Sequence, residues 1–260
     1  MSILDSFSLK GRIALVTAGA GPLFGSSISE ALAEAGATLI TASRSLETNR
    51  EFAEKMRANG FDAHGMAFDI ADAQSIARLH DEIIHRFGRL DILVNSARPG
   101  VGGGMETQTA TDWELSARGD MVGLFAICKA FLPDMVAQAK GSIINISSIY
   151  GVVANDPTLY EGTDMLQPPN YTFVKAGMIN FTRYIANYYS RKGVRANCIS
   201  PGGYFDNQPQ AFVDNYSRRV PVGRMMNNED IKGAVVFLAS DASSYVTGAN
   251  LLVDGGWTSL

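Results

Sequence analysis

A tyrosine and a lysine four residues apart are the side chains of this sequence best suited to chemistry. They are Tyr171 and Lys175, and they follow a strand-like run that ends in Ser147-Ser148. On a helix, positions i and i+4 lie on one face, so the phenol and the ammonium would lie side by side. A cation there favours the ionised phenolate, which can exchange a proton with a substrate oxygen while a hydride moves elsewhere. Because such spacing also arises by chance, its meaning depends on the surrounding sequence.

Composition limits the classes of protein to which the chain can belong. Its 260 residues are 46% hydrophobic and 18% charged, which favours a packed core and predicts one domain over residues 1–260. The formal net charge of -4 argues against nucleic acid as a main partner. Three scattered histidines, His64, His80 and His85, lack the spacing of zinc ligands, so we expect no bound metal.

Two cysteines and the character of the apolar runs bear on the cellular compartment. Cys128 and Cys198 both fall in apolar segments, where reduced packing thiols are expected. The first residues lack the basic and long apolar segments of a signal peptide, and no apolar run approaches the ~20 residues needed to span a bilayer. We therefore expect a soluble cytoplasmic protein without a membrane partner.

Short β-branched runs alternate with helical patterns along the chain. This alternation predicts βαβ units, a parallel sheet of about seven strands and helices on both faces, a three-layer αβα Rossmann-type doubly wound fold. The predicted strands are residues 12–17, 38–42, 62–67, 90–95, 142–147, 194–199 and 250–253. The predicted helices are residues 25–35, 46–59, 72–87, 110–138, 171–191 and 228–240.

Two insertions interrupt this alternation. Residues 151–170 carry three prolines just before Tyr171, and residues 202–227 carry aromatic, amide and arginine side chains. Both leave from the carboxyl ends of strands, where open α/β sheets bind ligands. They are candidate walls of a substrate pocket, although ordinary surface loops are the alternative.

The first predicted strand runs into a glycine-rich loop and then directly into a helix. Gly19, Gly21 and Gly25 would let the backbone turn tightly and approach a pyrophosphate, while the helix start offers free N–H groups. A tight strand-to-helix turn without a ligand is the alternative. The order strand, loop, helix, strand favours dinucleotide binding.

The ends of the next strands supply further candidate cofactor contacts. Ser43 and Arg44 follow the second strand, where an acidic residue would select NAD. Arg44 could instead pair with a 2′-phosphate, so we predict NADP over NAD, although a solvent-facing arginine is common. Asp69-Ile70 lie where an adenine ring would sit, and Asn95-Ser96-Ala97 where the cofactor would cross the sheet edge.

Taken in order, these motifs resemble those of the short-chain dehydrogenase/reductase family over essentially the whole chain. The resemblance implies a seven-stranded Rossmann sheet, a nicotinamide cofactor, and a homotetramer or homodimer built through the long helices. The residues that carry it are the Gly19–Gly25 loop, Asp69, Asn95-Ser96-Ala97, Asn145–Ser148, Tyr171 with Lys175, Ser200-Pro201-Gly202 and Val253–Gly256.

The same resemblance implies roles for individual residues. Tyr171 would be the general acid/base, Ser148 would hydrogen-bond the substrate oxygen, and Lys175 would hold the nicotinamide ribose. Asp120 stands where the family has a catalytic asparagine that holds a water in a proton relay. The implied contacts of the nicotinamide end are Pro201, Gly202 and Tyr204, and Phe24 in the glycine loop is a further candidate cofactor contact.

Several residues depart from the family pattern. Leu23 stands at a usual glycine and could crowd the pyrophosphate, and Tyr204 and Asp206 replace smaller residues. Arg98 replaces another glycine, where it would either meet an anionic substrate group or point to solvent. The carboxylate of Asp120 could hold the relay water but, unless protonated, cannot donate a hydrogen bond to it.

The insertions are loosely similar to a branch of the family associated with bacterial surface-sugar and flagellin-glycan modification. We therefore expect an oxidoreductase that interconverts a secondary alcohol and a ketone on a polar, sugar-like substrate. The alternatives are a catalytically impaired nucleotide-binding sensor or partner subunit, a 3-oxoacyl-type reductase, and dehydratase or epimerase chemistry on a nucleotide-sugar. The side chains expected to contact hydroxyl groups are Asp156, Tyr160, Glu161, Asn207 and Gln208.

Overall fold

The chain forms one seven-stranded parallel sheet with the strand order β3-β2-β1-β4-β5-β6-β7 in a computed structural model that describes residues 2–259. Each observed strand bound lies within two residues of the predicted one. The strands are β1 (Ile13–Thr17), β2 (Thr38–Ser43), β3 (Ala63–Ala67), β4 (Ile92–Asn95), β5 (Gly141–Ile146), β6 (Val194–Pro201) and β7 (Asn250–Val253). The order reverses between β1 and β4, which opens a crevice at their carboxyl ends.

Helices cover both faces of the sheet, so the predicted three-layer αβα fold is confirmed. Buried side chains of α1, α2 and α8 fill one face, and those of α3, α5 and α6 fill the other. The helices are α1 (Phe24–Glu34), α2 (Leu46–Ala58), α3 (Ala73–Phe87), α4 (Ala110–Ser116), α5 (Leu124–Ala137), α6 (Pro169–Tyr189), α7 (Gln210–Arg219) and α8 (Lys232–Ala239).

The helix predicted over residues 110–138 is not continuous. A π-helix, Ala117–Gly123, separates α4 from α5. Its wide turn lies against the chain after β3, and a Cβ on Gly123 would stand 2.1 Å from the Ile70 carbonyl oxygen. Gly119 similarly lies against Pro99. The local sequence keeps helical periodicity, so the π-turn was not predicted, but single π-turns inside helices often mark functional sites.

The second insertion, predicted as a loop over residues 202–227, contains the helix α7. In α7, Phe212 and Tyr216 are buried, and their i, i+4 spacing was the available signal. They pack with Leu159 of the first insertion and with Trp257 near the carboxyl terminus. The two insertions therefore form one cap, held by its own apolar cluster, over the carboxyl edge of the sheet.

The structure also bears on the predicted reduced cysteines and on the predicted lack of a membrane-spanning segment. Cys128 and Cys198 are both free and buried, and burial raises their thiol pKa values to about 12 and about 11. Within residues 2–259, no helix combines the length and apolar character required to cross a membrane.

Candidate active site

A cavity of about 310 Å³ lies beneath the cap at the carboxyl edge of the sheet. It joins residues from distant parts of the chain, including Ser148 after β5, Tyr171 on α6 and Gly202 after β6. Ser148, predicted to hydrogen-bond the substrate oxygen, and Tyr171, the predicted acid/base, therefore line one cavity. Both insertions contribute to its walls, as their origin at this edge suggested.

Tyr171 and Lys175 lie one turn apart at the start of α6. The helix start is fixed by Gln108, whose side-chain amide donates a 2.6 Å hydrogen bond to the buried Asn170. The Lys175 ammonium lies 5.5 Å from the centre of the Tyr171 ring and donates a 2.7 Å hydrogen bond to the Ile146 carbonyl oxygen. With 5% of its surface exposed, Lys175 is a buried cation beneath the phenol.

Ser148 occupies a constrained position directly after β5. Its hydroxyl accepts a 3.2 Å hydrogen bond from the Tyr150 backbone N–H and so caps the short 3-10 helix at Ile149–Gly151. Ser147 donates a 2.8 Å hydrogen bond to the Lys175 carbonyl oxygen. These bonds join the end of β5 to α6, which holds the two candidate catalytic hydroxyls on a rigid framework.

Asp120 lies in the π-helix behind this cavity and is 8% exposed. Ser116 donates a 2.9 Å hydrogen bond to its carboxylate. Burial raises the pKa of Asp120 above its usual value, while the Ser116 hydrogen bond and the charges of Lys175 and Arg98 oppose that rise. The carboxylate thus lies in the electrostatic field of the predicted catalytic lysine.

Arg98 extends toward the cavity rather than away from it. Its guanidinium carbon lies 4.7 Å from the centre of the Tyr171 ring, a cation–π arrangement, and the residue lines the cavity wall. The side chain remains exposed to solvent through the cavity mouth. Of the two orientations that the sequence left open, the structure has the one that reaches the candidate site.

The glycine loop fits a dinucleotide phosphate group. A Cβ on Gly25 would lie 2.1 Å from the Ala18 carbonyl oxygen, and one on Gly19 would lie 2.6 Å from the Ser29 hydroxyl. Glycine therefore lets the loop fold tightly against β1 and start α1 at Phe24, which places helix N–H groups at the crevice. The Gly21 N–H donates a 3.0 Å hydrogen bond to the Ala18 carbonyl oxygen within this loop.

Leu23 adopts a conformation that L-residues rarely occupy. Its φ and ψ are 70° and -137°, and its side chain, 38% exposed, lines the cavity beside Phe24 and Arg98. A leucine thus occupies a backbone conformation that favours glycine. A bound cofactor would contact this side chain at the loop.

The remaining predicted cofactor residues follow the strands at the same edge. Arg44 after β2 is exposed, and Ser43 accepts a 2.7 Å hydrogen bond from Asn49. Asp69 after β3 accepts a 2.9 Å hydrogen bond from the Ala71 N–H, next to Ile70, whose carbonyl faces the π-helix. Ala97 after β4 is tied to the end of β1, since its N–H donates a 3.0 Å hydrogen bond to Thr17.

Asn95 lies at the end of β4, but its side chain turns inward. Its amide nitrogen donates a 2.8 Å hydrogen bond to Asn145 on β5, which in turn donates to Thr182 on α6. Asn95 and Asn145 are adjacent in the parallel register of these strands. The residue therefore links the two strands beneath the site.

Tyrosines form much of the cap side of the cavity. The Tyr150 and Tyr160 hydroxyls lie 3.3 Å apart, and Tyr160 donates a 3.4 Å hydrogen bond to Gln167. Gln208 also lines the cavity, whereas Asp156 and Glu161, expected there, border a separate surface depression. The cavity residues that the sequence did not indicate include Ile149, Tyr150, Met165, Leu166, Gln167, Gly203, Phe212, Tyr216 and Met225.

The sheet edge near the glycine loop is closed by an aromatic pair. Tyr204 lies three residues after Pro201, the last residue of β6. Its ring packs edge to face on Phe24 with ring centres 5.2 Å apart. The Tyr204 hydroxyl also hydrogen-bonds to Asn228. These contacts connect the second insertion with the start of α1.

Comparisons with known proteins extend over the whole chain. A family model described as enoyl-(acyl carrier protein) reductase matches residues 23–258. The NADP-dependent mannitol dehydrogenase of Hypocrea jecorina is 33% identical, with 98% of this chain and 96% of that protein covered. The 3-oxoacyl-[acyl-carrier-protein] reductase of Aquifex aeolicus is 31% identical, with coverage of 95% and 98%. A solved gluconate 5-dehydrogenase from Burkholderia cenocepacia J2315, in complex with NADP and tartrate, has a TM-score of 0.89 at 32% identity, covering 100% of both chains.

The fold and these relatives define an NAD(P)-dependent oxidoreductase. The chain belongs to the short-chain dehydrogenase/reductase family, as its ordered motifs predicted.

Proposed function

We propose that this enzyme interconverts a secondary alcohol and a ketone on a polar, polyol-like substrate, with Tyr171 as the general acid/base. The observation that carries the proposal is that Ser148 and Tyr171 line one cavity, with the buried Lys175 ammonium 5.5 Å from the centre of the Tyr171 ring. The relatives named for mannitol and gluconate support a hydroxylated substrate.

Each of the three side chains has a distinct task in this proposal. Ser148 hydrogen-bonds the substrate oxygen, and Tyr171 moves a proton at its phenolic oxygen. The Lys175 ammonium stabilises negative charge on that oxygen and holds the cofactor ribose. A bound nicotinamide dinucleotide supplies the hydride acceptor or donor. Asp120 is assigned to water positioning behind Lys175, in the place of the family asparagine.

We infer NADP as the preferred cofactor over NAD. Arg44, exposed after β2, would pair with a ribose 2′-phosphate, and no acidic residue lies at the end of that strand. The mannitol dehydrogenase relative is named as NADP-dependent, and the gluconate 5-dehydrogenase was solved with NADP. The glycine loop, Asp69-Ile70, Ala97, Gly202 and Tyr204 would hold the rest of the dinucleotide.

A second candidate function is 3-oxoacyl reduction. It is favoured by the Aquifex relative and by an apolar part of the cavity wall formed by Met165, Leu166 and Met225. Tyr150, Tyr160 and Gln167 line the same cavity and favour the polyol. A sensor that binds cofactor without turnover is the remaining alternative, motivated by Leu23 and Asp120.

Cofactor oxidation and reduction assays with a substrate panel separate these functions. We expect NADP reduction with polyols or sugar acids and NADPH oxidation with the corresponding ketoses, and weak turnover of a 3-oxoacyl thioester. Faster turnover of the thioester would replace the polyol assignment with the reductase. Tight NADPH binding without turnover of any substrate would identify a sensor.

We further propose that the protein is a cytoplasmic homo-oligomer, a dimer or tetramer, assembled through α5 and α6. These helices expose Phe125, Tyr184 and Tyr188, which are 51%, 53% and 62% exposed in one chain. Light scattering after size-exclusion chromatography measures the assembly directly. A monomer at micromolar concentration would refute the proposal.

A further inference from the structure

The cation at the cavity wall interacts with the buried Asp120 carboxylate only at a distance, without a hydrogen bond to it. Within residues 2–259, the Arg98 guanidinium takes part in no ion pair and no side-chain hydrogen bond; its contact is the face of the Tyr171 ring. Its nearest chain neighbours, Ala97 and Pro99, are apolar. The five N–H donors of the guanidinium are therefore available to whatever occupies the cavity.

The positive charge of Arg98 favours an anionic ligand in the cavity over a neutral one. A neutral substrate that covered Arg98 would desolvate its donors without replacing the lost hydrogen bonds with charged acceptors, which is unfavourable. A carboxylate would accept two parallel hydrogen bonds from the planar fork and keep the charge paired. The cavity is thus suited to an anion at the wall where Tyr171 lies.

The cavity wall formed by the residues after β6 carries a negative charge. Asp206 and Gln208 follow β6 and line the cavity from that side. In the sheet β5 lies between β4 and β6, so the loops that carry Arg98 and Asp206 start about 10 Å apart. The Asp206 carboxylate can accept hydrogen bonds from hydroxyl groups and repels a second anion. The Gln208 amide is already engaged in its own loop, where its oxygen accepts from the Asp206 N–H and its nitrogen donates to the Tyr204 carbonyl oxygen. Ser148, at the end of β5, lies between the two walls.

We propose that Arg98 is a specificity residue that binds the carboxylate of a polyhydroxy acid. The acid group would lie at Arg98, the distal hydroxyls at Asp206, and the reacting secondary carbon between them at Ser148 and Tyr171. This assignment rests on the proposed alcohol–ketone chemistry and narrows its substrate to an aldonate or ketoaldonate.

Matched substrate pairs test the assignment. Each aldonate is assayed beside the alditol that differs from it in having a terminal hydroxymethyl group instead of a carboxylate: gluconate with glucitol, galactonate with galactitol, xylonate with xylitol. We expect Arg98→Met to lower kcat/KM for the acids by about tenfold to a hundredfold, and to change the alditol values by less than about threefold. Arg98→Lys, which retains the charge without the fork, should fall between wild type and Arg98→Met.

A control variant and a binding measurement complete the experiment. Arg86→Met removes the same charge from the last turn of α3, where Arg86 pairs with Glu82, and should leave both substrate classes unchanged. Calorimetric titration with gluconate, galactonate and xylonate should show binding to the wild type that Arg98→Met loses. Equal losses for acids and alditols, or a loss confined to NADPH affinity, would overturn the assignment. Binding of an acid that depends on Arg98 but yields no turnover would sustain it and refute the oxidoreductase proposal instead, whereas neither binding nor turnover would refute both.

Discussion

Asp120 and Ser116 form a buried hydrogen bond of 2.9 Å across the junction between α4 and the π-helix. The bond holds a carboxylate at a position where the family has an amide, close enough to Lys175 and Arg98 to be influenced by both charges. Because the carboxylate is desolvated there, its presence links the stability of the fold to pH.

Asp120→Asn should stabilise the protein at neutral and alkaline pH. The raised pKa of Asp120 means that the folded state holds more protons than the unfolded state between the ordinary value of 3.8 and the folded value. Stability contributed by this group therefore falls as pH rises through that interval, and the full cost of the buried charge applies above it. Asparagine can still accept the Ser116 hydrogen bond without that charge.

Urea unfolding at a series of pH values measures this effect. The stability difference between Asp120→Asn and wild type should be largest above the folded pKa and shrink as pH falls towards 3.8. Asp164→Asn, at an exposed carboxylate, should leave stability nearly unchanged throughout. If the stability difference between Asp120→Asn and wild type were the same at every pH, the pKa of Asp120 would not be raised in the folded protein.

Tyr171→Phe should reduce turnover by at least about a hundredfold, because general acid/base help is worth about that much or more. Phenylalanine keeps the ring beneath the Arg98 guanidinium, so the fold and its thermal transition should survive. Steady-state kinetics and circular dichroism measure the two effects. Tyr245→Phe removes a hydroxyl from a fully exposed ring and serves as the control. Turnover near the wild-type rate would refute the acid/base role.

The fold and the position of the site followed from patterns that act over short distances. Alternating apolar runs and strand-end motifs predicted the sheet, and the i, i+4 spacing predicted the Tyr171–Lys175 pair. The orientation of Arg98 could not be predicted, because it depends on where the loop after β4 passes relative to α6. For the same reason, the place of Tyr150 in the cavity could not be predicted. It is set by the hydrogen bond of its N–H to Ser148 and by the contact of its hydroxyl with Tyr160 in the insertion.

Gly123→Ala should destabilise the protein by about 1–3 kcal/mol, the typical cost of forcing atoms into a packed position. The added Cβ would lie 2.1 Å from the Ile70 carbonyl oxygen, so either the π-turn or the chain after β3 must shift. Gly233→Ala in α8 adds the same methyl group where nothing lies within 4 Å, and should stabilise by about 0.5 kcal/mol. Denaturant unfolding measures the change in the free energy of unfolding for both variants. Changes of opposite sign would establish the tight contact between Gly123 and Ile70, and equal changes would contradict it.

Arg44→Ala should weaken NADPH binding by about tenfold to a hundredfold and leave NADH binding nearly unchanged, because a charge-assisted hydrogen bond to the 2′-phosphate is lost. Fluorescence titration of each cofactor measures both affinities. Arg50→Ala removes a nearby exposed charge on α2 and tests whether general positive potential is responsible. A wild-type preference for NADH would contradict the assignment of Arg44 before any variant is made.

Leu23→Gly should stabilise the protein by about 1 kcal/mol, because glycine adopts the positive φ of this position without strain. The observed φ of 70° is imposed by the loop, and the side chain is 38% exposed, so the loss of its partial burial offsets part of the relieved strain of about 1–3 kcal/mol. Leu115→Gly, at an exposed position inside α4, should instead cost about 1 kcal/mol through helix propensity. Thermal unfolding compares the two substitutions, and NADPH titration shows what the leucine does to cofactor binding. The glycine variant should bind NADPH at least as tightly as wild type, since it removes a side chain from the phosphate loop; weaker binding would mean that Leu23 itself packs against the cofactor.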